Sequence, residues 1–242
     1  MPYFDYGNTT IEYELLHNSD KKDISIAIDW VNGVTITTPP DISNQQLQKI
    51  LHKKAPWILN KWKAFNEITD KPSPKEFISG EKFPYLGRHY RLKVIRTEES
   101  AESGLSFNRG RFIAVAPKHC KEEERKEELF QAFKQWYCLY GSKKINERLH
   151  IYSEKMNVSP LKLQLKEQKM RWGTCTPEGA IYINWRVTMA PISIIDYLLV
   201  HELAHLKHQN HSKDFWQLVR SILPDYEERK EWLRVNGPTL TL

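Results

Sequence analysis

Two histidines and a glutamate lie within five residues near the end of the chain, in the segment His201-Glu202-Leu203-Ala204-His205. In an α-helix, His201 and His205 lie one turn apart on the same face, so their imidazoles can converge on one zinc ion. Glu202 flanks that face, where its carboxylate can take a proton from an activated water molecule. The pattern indicates a zinc-dependent hydrolase, and a peptidase is the reaction class that it fits best.

A catalytic zinc ion has three protein ligands and one open position, so a third ligand is required. His208 and His211 are the two candidates. In an unbroken helix His208 would lie roughly 10 Å along the axis from His201, whereas zinc–nitrogen bonds are only about 2.0–2.1 Å long. A bend at Gln209-Asn210, where Asn tolerates the left-handed conformation, would return His211 to the metal. We therefore favour His211, with His208 as the alternative.

The flanking residues predict the elements that hold this site. The run from Pro191 to Val200 predicts a helix that continues into the histidines, with proline in its first turn. Ser212 is a predicted N-cap of a following helix, whose first apolar residues are Phe215 and Trp216.

Two strands are predicted before the metal helix, at residues 162–165 and 180–184, with a turn around residues 176–179. An edge strand beside a metal can pair with an extended substrate backbone and align its carbonyl. We expect one of these two strands to do so, and the alternative is that both are interior strands.

Several short motifs together carry a resemblance to a known family. They are Arg171-Trp172-Gly173-Thr174-Cys175, Ile181-Tyr182-Ile183-Asn184, Asp196-Tyr197, His201-Glu202-Leu203-Ala204-His205-Leu206, Asn210-His211-Ser212 and Phe215-Trp216, with Gly80 and Tyr85-Leu86-Gly87-Arg88-His89-Tyr90-Arg91-Leu92 upstream. This pattern resembles the YgjP-like metallopeptidases, relatives of the SprT-like and WLM proteases. The resemblance implies that His201, His205 and His211 bind one zinc ion and that Glu202 is the general base.

The histidine spacing is also that of metzincins, but two features argue against that group. His208 stands where metzincins use glycine, and no methionine follows Met189 to form a methionine turn. The chain therefore resembles the SprT-like proteases and not the metzincins.

Further residues have candidate roles around the metal. The oxyanion that develops during hydrolysis needs a second donor beside the metal, and Arg171, Tyr197 and Tyr226 are the candidates. Asp196 is a candidate to orient a ligand histidine. Cys175 belongs to a family motif, but a packed thiol is the simpler interpretation.

Composition sets further expectations. The net charge of +6 permits an acidic partner, including nucleic acid, without requiring one. No apolar run reaches the roughly 20 residues needed to span a bilayer, so no membrane association is expected. The three cysteines, Cys120, Cys138 and Cys175, predict free thiols, and the first residues lack a signal-peptide pattern. A cytoplasmic location is expected.

The expected fold class is α+β. Residues 1–118 predict a strand-rich amino-terminal lobe with one long helix at residues 43–66, kinked or broken at Pro56. Strands are predicted at residues 24–28 and 34–37 around a turn at Asn32-Gly33, and later at residues 90–95 and 112–116. Residues 71–74 predict a rigid connector. Residues 119–242 predict the zinc metallopeptidase lobe, beginning with one helix or two over residues 122–156, interrupted near Gly141. A zincin arrangement, with a short sheet packed on the metal helix, is implied by the resemblance.

Three functions are compatible with the sequence. The first is a zinc endopeptidase that acts on exposed polypeptide. The second is a DNA-associated SprT-like protease that acts on protein–DNA adducts. The third is a non-catalytic interaction module that zinc stabilises, but such a structural site would more often recruit a fourth ligand.

Overall fold

The structure is a computed structural model that describes residues 2–18, 23–29, 33–65, 74–98, 104–168 and 171–242. Within these ranges the chain forms eleven strands in three sheets and five α-helices. The strands are β1 Tyr3–Tyr6, β2 Thr9–His17, β3 Ser25–Asp29, β4 Gly33–Thr38, β5 Lys82–Tyr85, β6 Arg88–Thr97, β7 Gly104–Asn108, β8 Arg111–Pro117, β9 Lys162–Lys166, β10 Gly173–Cys175 and β11 Ala180–Asn184. The helices are α1 Asn44–Phe65, α2 Glu122–Met156, α3 Ile192–Ala204, α4 Lys213–Ile222 and α5 Tyr226–Asn236. The expected mixture of α and β structure is confirmed.

The first sheet has the strand order β1-β2-β4-β3 and packs against α1. Its β-branched residues alternate, so that Val34 and Ile36 of β4 are fully buried while Thr35 and Thr37 are partly exposed. The two buried residues pack with the apolar face of α1 in a small core of their own. The predicted strands on both sides of residue 33 are present, whereas Asn32 of the predicted turn lies outside the described residues.

Helix α1 continues without a break through Pro56. A proline removes one hydrogen bond of the helix but does not by itself end it when the helix is held by packing. Of the two alternatives predicted at this residue, the break is therefore wrong, and the kink stays a prediction. Residues 71–73 of the predicted connector lie outside the described part of the chain.

The second sheet has the order β5-β6-β8-β7 and packs on α2. Aromatic rings join the two layers, with the centroids of Phe83 and Phe133 4.2 Å apart and those of Phe112 and Trp136 4.8 Å apart. These residues belong to a larger core that also contains α3. The smaller core is built from residues 4–62 and the larger one from residues 77–242. The lobe boundary near residue 118 stays a prediction.

Helix α2 is a single helix that passes through Gly141. A Cβ at this position would overlap the Thr188 Cγ2 methyl and lie 3.1 Å from Thr188 Cβ. Glycine is thus required here for close packing of the helix on the segment before α3. Of the two alternatives predicted for residues 122–156, the single helix is confirmed and the interruption near Gly141 is absent.

The third sheet has the order β10-β11-β9 and positions the candidate site. Strand β11 pairs with β9 in parallel, with Ile181 opposite Leu163, and with β10 antiparallel, with Thr174 opposite Tyr182. Of the two strands expected to pair with substrate, residues 180–184 are therefore interior. The edge strand next to α3 is β10, which the sequence patterns did not predict.

None of the helices in the described part of the chain is both long enough and apolar enough to cross a membrane.

Candidate metal centre

Helix α3 is deeply buried. Every residue from Ile194 to Ala204 is buried, which explains why the helix is apolar on nearly all sides. His201 and Glu202 are nevertheless fully buried within it, at 0 % exposure. Burying an imidazole and a carboxylate together is costly, so their presence here points to a function.

The helix ends at the second histidine of the motif. His205 is the C-cap residue, and a tight turn follows in which the His208 amide donates to the Ala204 carbonyl at 3.0 Å. The helix thus ends before the predicted bend at Gln209-Asn210, and Asn210 does not adopt a positive φ. The early end has the same consequence as the predicted bend, because it lets the chain turn back over the helix.

The start of helix α4 holds His211 close to the two histidines of α3. The Ser212 side chain accepts a hydrogen bond from the Phe215 amide at 3.3 Å, as an N-cap residue should. Phe215 is fully buried, and its ring centroid lies 4.7–5.0 Å from those of all three histidines. The two predicted features of this segment, the cap and its first apolar anchor, are confirmed.

The structure brings the imidazoles of His201, His205 and His211 together. One ring nitrogen of each lies within 4.8 Å of the others, and the Nε2 atoms of His201 and His211 are 3.0 Å apart. The side chain of His208 is not part of this group. Its carbonyl lies 3.2 Å from His205 Nδ1, and since a carbonyl only accepts, Nδ1 carries the proton and Nε2 keeps its lone pair.

Two of the three imidazoles are poised in the neutral form that metals bind. Burial lowers the pKa of His201 well below its ordinary value, and the neighbouring imidazoles of His205 and His211 lower it further. Burial and His211 lower the pKa of His205 to about 4. At neutral pH the rings of His201 and His205 therefore hold lone pairs.

Glu202 lies beneath a glycine of the edge strand β10. A Cβ on Gly173 would overlap Glu202 Oε1 and lie 2.7 Å from Glu202 Cδ. The glycine thus leaves room for the carboxylate between the helix and the strand. The sequence patterns did not single out Gly173 for this purpose, although it stands inside the Arg-Trp-Gly-Thr-Cys motif.

The remaining candidate residues lie in different surroundings. Asp196 accepts two hydrogen bonds from Arg148, at 2.6 and 2.7 Å. Tyr197 is fully buried with its ring centroid 6.0 Å from that of His201. The Tyr226 hydroxyl donates to a neighbouring glutamate at 2.9 Å, while Arg171 is buried.

A cleft of about 290 Å³ opens beside His205. It is lined by β10 with its following turn, including Thr174 and Cys175, and by β2, through Glu14 and Leu16. The Cys175 thiol is one of three free cysteines in the structure, and burial, with the charges of nearby glutamates, raises its pKa to about 12. Cys175 is therefore a protonated thiol of the cleft wall. The contribution of β2 to this cleft had no signal in the sequence.

The three histidines fit a zinc ion. Two nitrogens on one tetrahedral zinc ion lie about 3.3 Å apart, given bonds of about 2.0–2.1 Å. The observed separations, from 3.0 Å to at most 4.8 Å, require side-chain adjustments on the order of an ångström. An all-imidazole donor set also suits zinc.

Comparison with known proteins gives one family. A family model described as YgjP-like, metallopeptidase domain, matches residues 22–236. No curated protein sequence matches the chain. Among solved structures, the metallopeptidase zymogen of Pyrococcus abyssi abylysin is 24% identical over 36% of this chain and 88% of that chain, with a TM-score of 0.34. Since the family model spans most of the sequence, the chain belongs to the YgjP-like metallopeptidase family.

Proposed function

We propose that the chain is a zinc-dependent endopeptidase of the cytoplasm that hydrolyses exposed polypeptide. One observation carries the proposal: three imidazoles converge next to a fully buried glutamate, and one of them, His205, lines a cleft. His201, His205 and His211 would hold one zinc ion. We further propose that α3 and the third sheet form the zincin arrangement.

Bound zinc supplies Lewis acidity, which polarises a peptide carbonyl and makes water more acidic. Glu202 then accepts the proton of the attacking water on a carboxylate oxygen and delivers it to the leaving amine. The carboxylate is shielded from solvent by Gly173 and the helix, so its position is fixed before substrate arrives.

The substrate backbone is proposed to lie along β10. This strand pairs only with β11 among the described strands, and its residues Thr174 and Cys175 face the cleft beside His205. An extended peptide added to this edge would place its carbonyl groups at regular spacing past the histidines. Tyr197 and Tyr226 stay candidates for the donor to the oxyanion, whereas Arg171 lines a separate cavity.

The test is cleavage of an unfolded polypeptide by wild-type protein and by Glu202→Gln, with zinc content measured for both. Zinc should stay near one ion per chain while turnover falls by about 10²–10⁴-fold. Glu178→Gln is the matched control, because Glu178 is exposed in the turn after β10. Equal turnover by wild-type and Glu202→Gln protein would refute the role of Glu202. No turnover by zinc-loaded wild-type protein would favour the structural-zinc alternative.

The same assay separates the DNA-associated alternative. The endopeptidase proposal expects the same rate with and without DNA. A rate that rises with added DNA, and falls again as salt increases, would favour the alternative.

A further inference from the structure

A second cavity, of about 310 Å³, lies apart from the three histidines and contains a buried arginine. Its wall includes Gln168 and Arg171 from the segment before β10, and Leu233 and Arg234 from α5. Arg171 is only 3 % exposed. A guanidinium in such a place is costly unless its donors are satisfied.

The donors of Arg171 are largely unused. Nη1 lies 3.4 Å from Thr174 Oγ1, which is a weak bond, and Nε and Nη2 have no partner among the described residues. These two atoms form one edge of the guanidinium plane. In the same protein, Arg148 uses this edge to bind both carboxylate oxygens of Asp196. The free edge of Arg171 is therefore shaped for a carboxylate.

Carboxylates lie near Arg171, but none among the described residues is within hydrogen-bond distance of Nε or Nη2. Burial lowers the pKa of Arg171 despite the opposing attraction of nearby glutamates. Of the other two arginines in the cavity wall, Arg186 is paired with Glu167 and Arg234 with Glu231. Glu167 is also bound by a lysine and the indole of a tryptophan. Among the described residues, Arg171 is therefore the one arginine of this cavity wall without a hydrogen-bonded carboxylate.

A second buried polar group in the cavity wall is a hydrogen-bond acceptor without a donor among the described residues. Gln168 is 6 % exposed, and its Oε1 atom has no partner among the described residues. Asn184 Nδ2 donates to the Gln168 carbonyl at 2.8 Å, so the backbone at this position is held in place. Apolar surface from Trp172, Leu233 and Leu240 completes the wall. A ligand with a carboxylate, a nearby N–H and an apolar side chain satisfies all three features.

We propose that this cavity binds the C-terminal residue of a peptide that ends in an apolar side chain. Arg171 binds the terminal carboxylate, Gln168 Oε1 accepts from the amide N–H, and the side chain packs against Trp172 and Leu233. The site is separate from the proposed zinc centre, and its existence does not depend on catalysis.

The probe is N-acetyl-L-leucine, with N-acetyl-L-leucinamide as the matched compound that lacks the carboxylate. Calorimetric titration of the full chain should give a Kd on the order of 1 mM for the acid and about tenfold weaker binding for the amide. Arg171→Gln should abolish this preference, whereas Arg220→Gln, which alters an exposed arginine on α4, should keep it. Equal affinity of acid and amide for the wild type, or an unchanged preference in Arg171→Gln, would overturn the proposal.

A second variant covers the case in which Arg171→Gln does not fold. Wild-type protein should bind N-acetyl-N-methyl-L-leucine, which lacks the N–H, several-fold more weakly than N-acetyl-L-leucine. Gln168→Met should bind both compounds alike. A preference that persists in Gln168→Met would contradict the assigned role of this residue.

Two further measurements test whether the acid binds at the histidines instead, and whether the cavity prefers phosphate. The acid should bind equally to metal-free and zinc-loaded protein, since a requirement for zinc would place the carboxylate at the histidines instead. Inorganic phosphate should bind more weakly than the acid. Tighter phosphate binding would overturn the assignment to a peptide carboxylate.

Discussion

Gly173 of the edge strand β10 lies directly against Glu202 of the metal helix, with no space between them for a side chain. A Cβ at position 173 would overlap Glu202 Oε1 and lie 2.9 Å from Cγ. The strand proposed to bind substrate and the carboxylate proposed to move the proton are therefore positioned by one contact.

Gly173→Ala is expected to displace the Glu202 carboxylate. Because the atoms closest to the added methyl all belong to Glu202, zinc content should stay unchanged while peptide hydrolysis falls by about 10²-fold. Gly104→Ala is the matched control, since a Cβ at that position meets nothing within 4 Å. Full activity of Gly173→Ala would show that the carboxylate position is not critical.

His211 and His208 are expected to differ in their effect on metal affinity. His211→Ala removes a nitrogen that lies 3.0 Å from His201 Nε2, so near-stoichiometric zinc should be lost. His208→Ala leaves the backbone carbonyl that holds His205 in place, so zinc should be kept. Elemental analysis of both purified variants makes the comparison. Loss of zinc in His208→Ala alone would move the third ligand to that residue.

Helix α3 with its two histidines, and the start of helix α4 after it, could be predicted because their sequence signals are local. His201 and His205 are four residues apart, and the Ser212 cap is read from the residues beside it. The chain does bend at Gln209-Asn210, but the predicted left-handed Asn210 is wrong, because the helix has already ended through tight turns after Ala204.

Strand β10 could not be predicted because three residues carry no periodicity. Gly173 to Cys175 become a strand only through pairing with β11. The pairing of Asp196 with Arg148, which is 48 residues away, could not be predicted either. Nor could the position of Glu14 in the cleft wall. Such contacts depend on tertiary packing, which a single sequence does not display.

The close contact between Gly141 and Thr188 predicts a steric cost for Gly141→Ala. Alanine normally favours a helix by about 0.5–1 kcal/mol over glycine. Here the added methyl would overlap Thr188 Cγ2, so a net loss of about 1–3 kcal/mol in the free energy of unfolding is expected. Thr188→Ser removes the opposing methyl, and denaturant unfolding of the double variant should recover part of the loss. Additive effects of the two changes would exclude the clash.

The bidentate pair of Arg148 and Asp196 is expected to stabilise the fold rather than the metal. The Asp196 side chain is only 8 % exposed, so Asp196→Asn should lower the free energy of unfolding by about 1–3 kcal/mol with zinc content unchanged. Asp225→Asn disrupts an exposed pair with Arg229 and should cost no more than about 0.5 kcal/mol. Loss of zinc in Asp196→Asn would instead support a role in orienting a ligand histidine.

Glu167, in the wall of the second cavity, is expected to make a pH-dependent contribution to the free energy of unfolding. Burial raises its pKa, but hydrogen bonds from Arg186, Trp185 and Lys134 outweigh burial and lower the pKa from 4.5 to about 2. A folded-state pKa below the unfolded one stabilises the protein above pH 4.5, and this stability is lost as the pH falls from 4.5 towards 2. Because the side chain is partly exposed, the contribution is about 1–2 kcal/mol after discounting for solvent screening.

Glu167→Gln should therefore be less stable than the wild type at pH 7 by that amount, and the difference should shrink as the pH falls from 4.5 towards 2. Urea unfolding at a series of pH values measures both curves. The amide oxygen introduced at position 167 can still accept from the Trp185 indole, so the comparison isolates the charge. Parallel curves across this range would show that the ion pairs of Glu167 do not stabilise the fold.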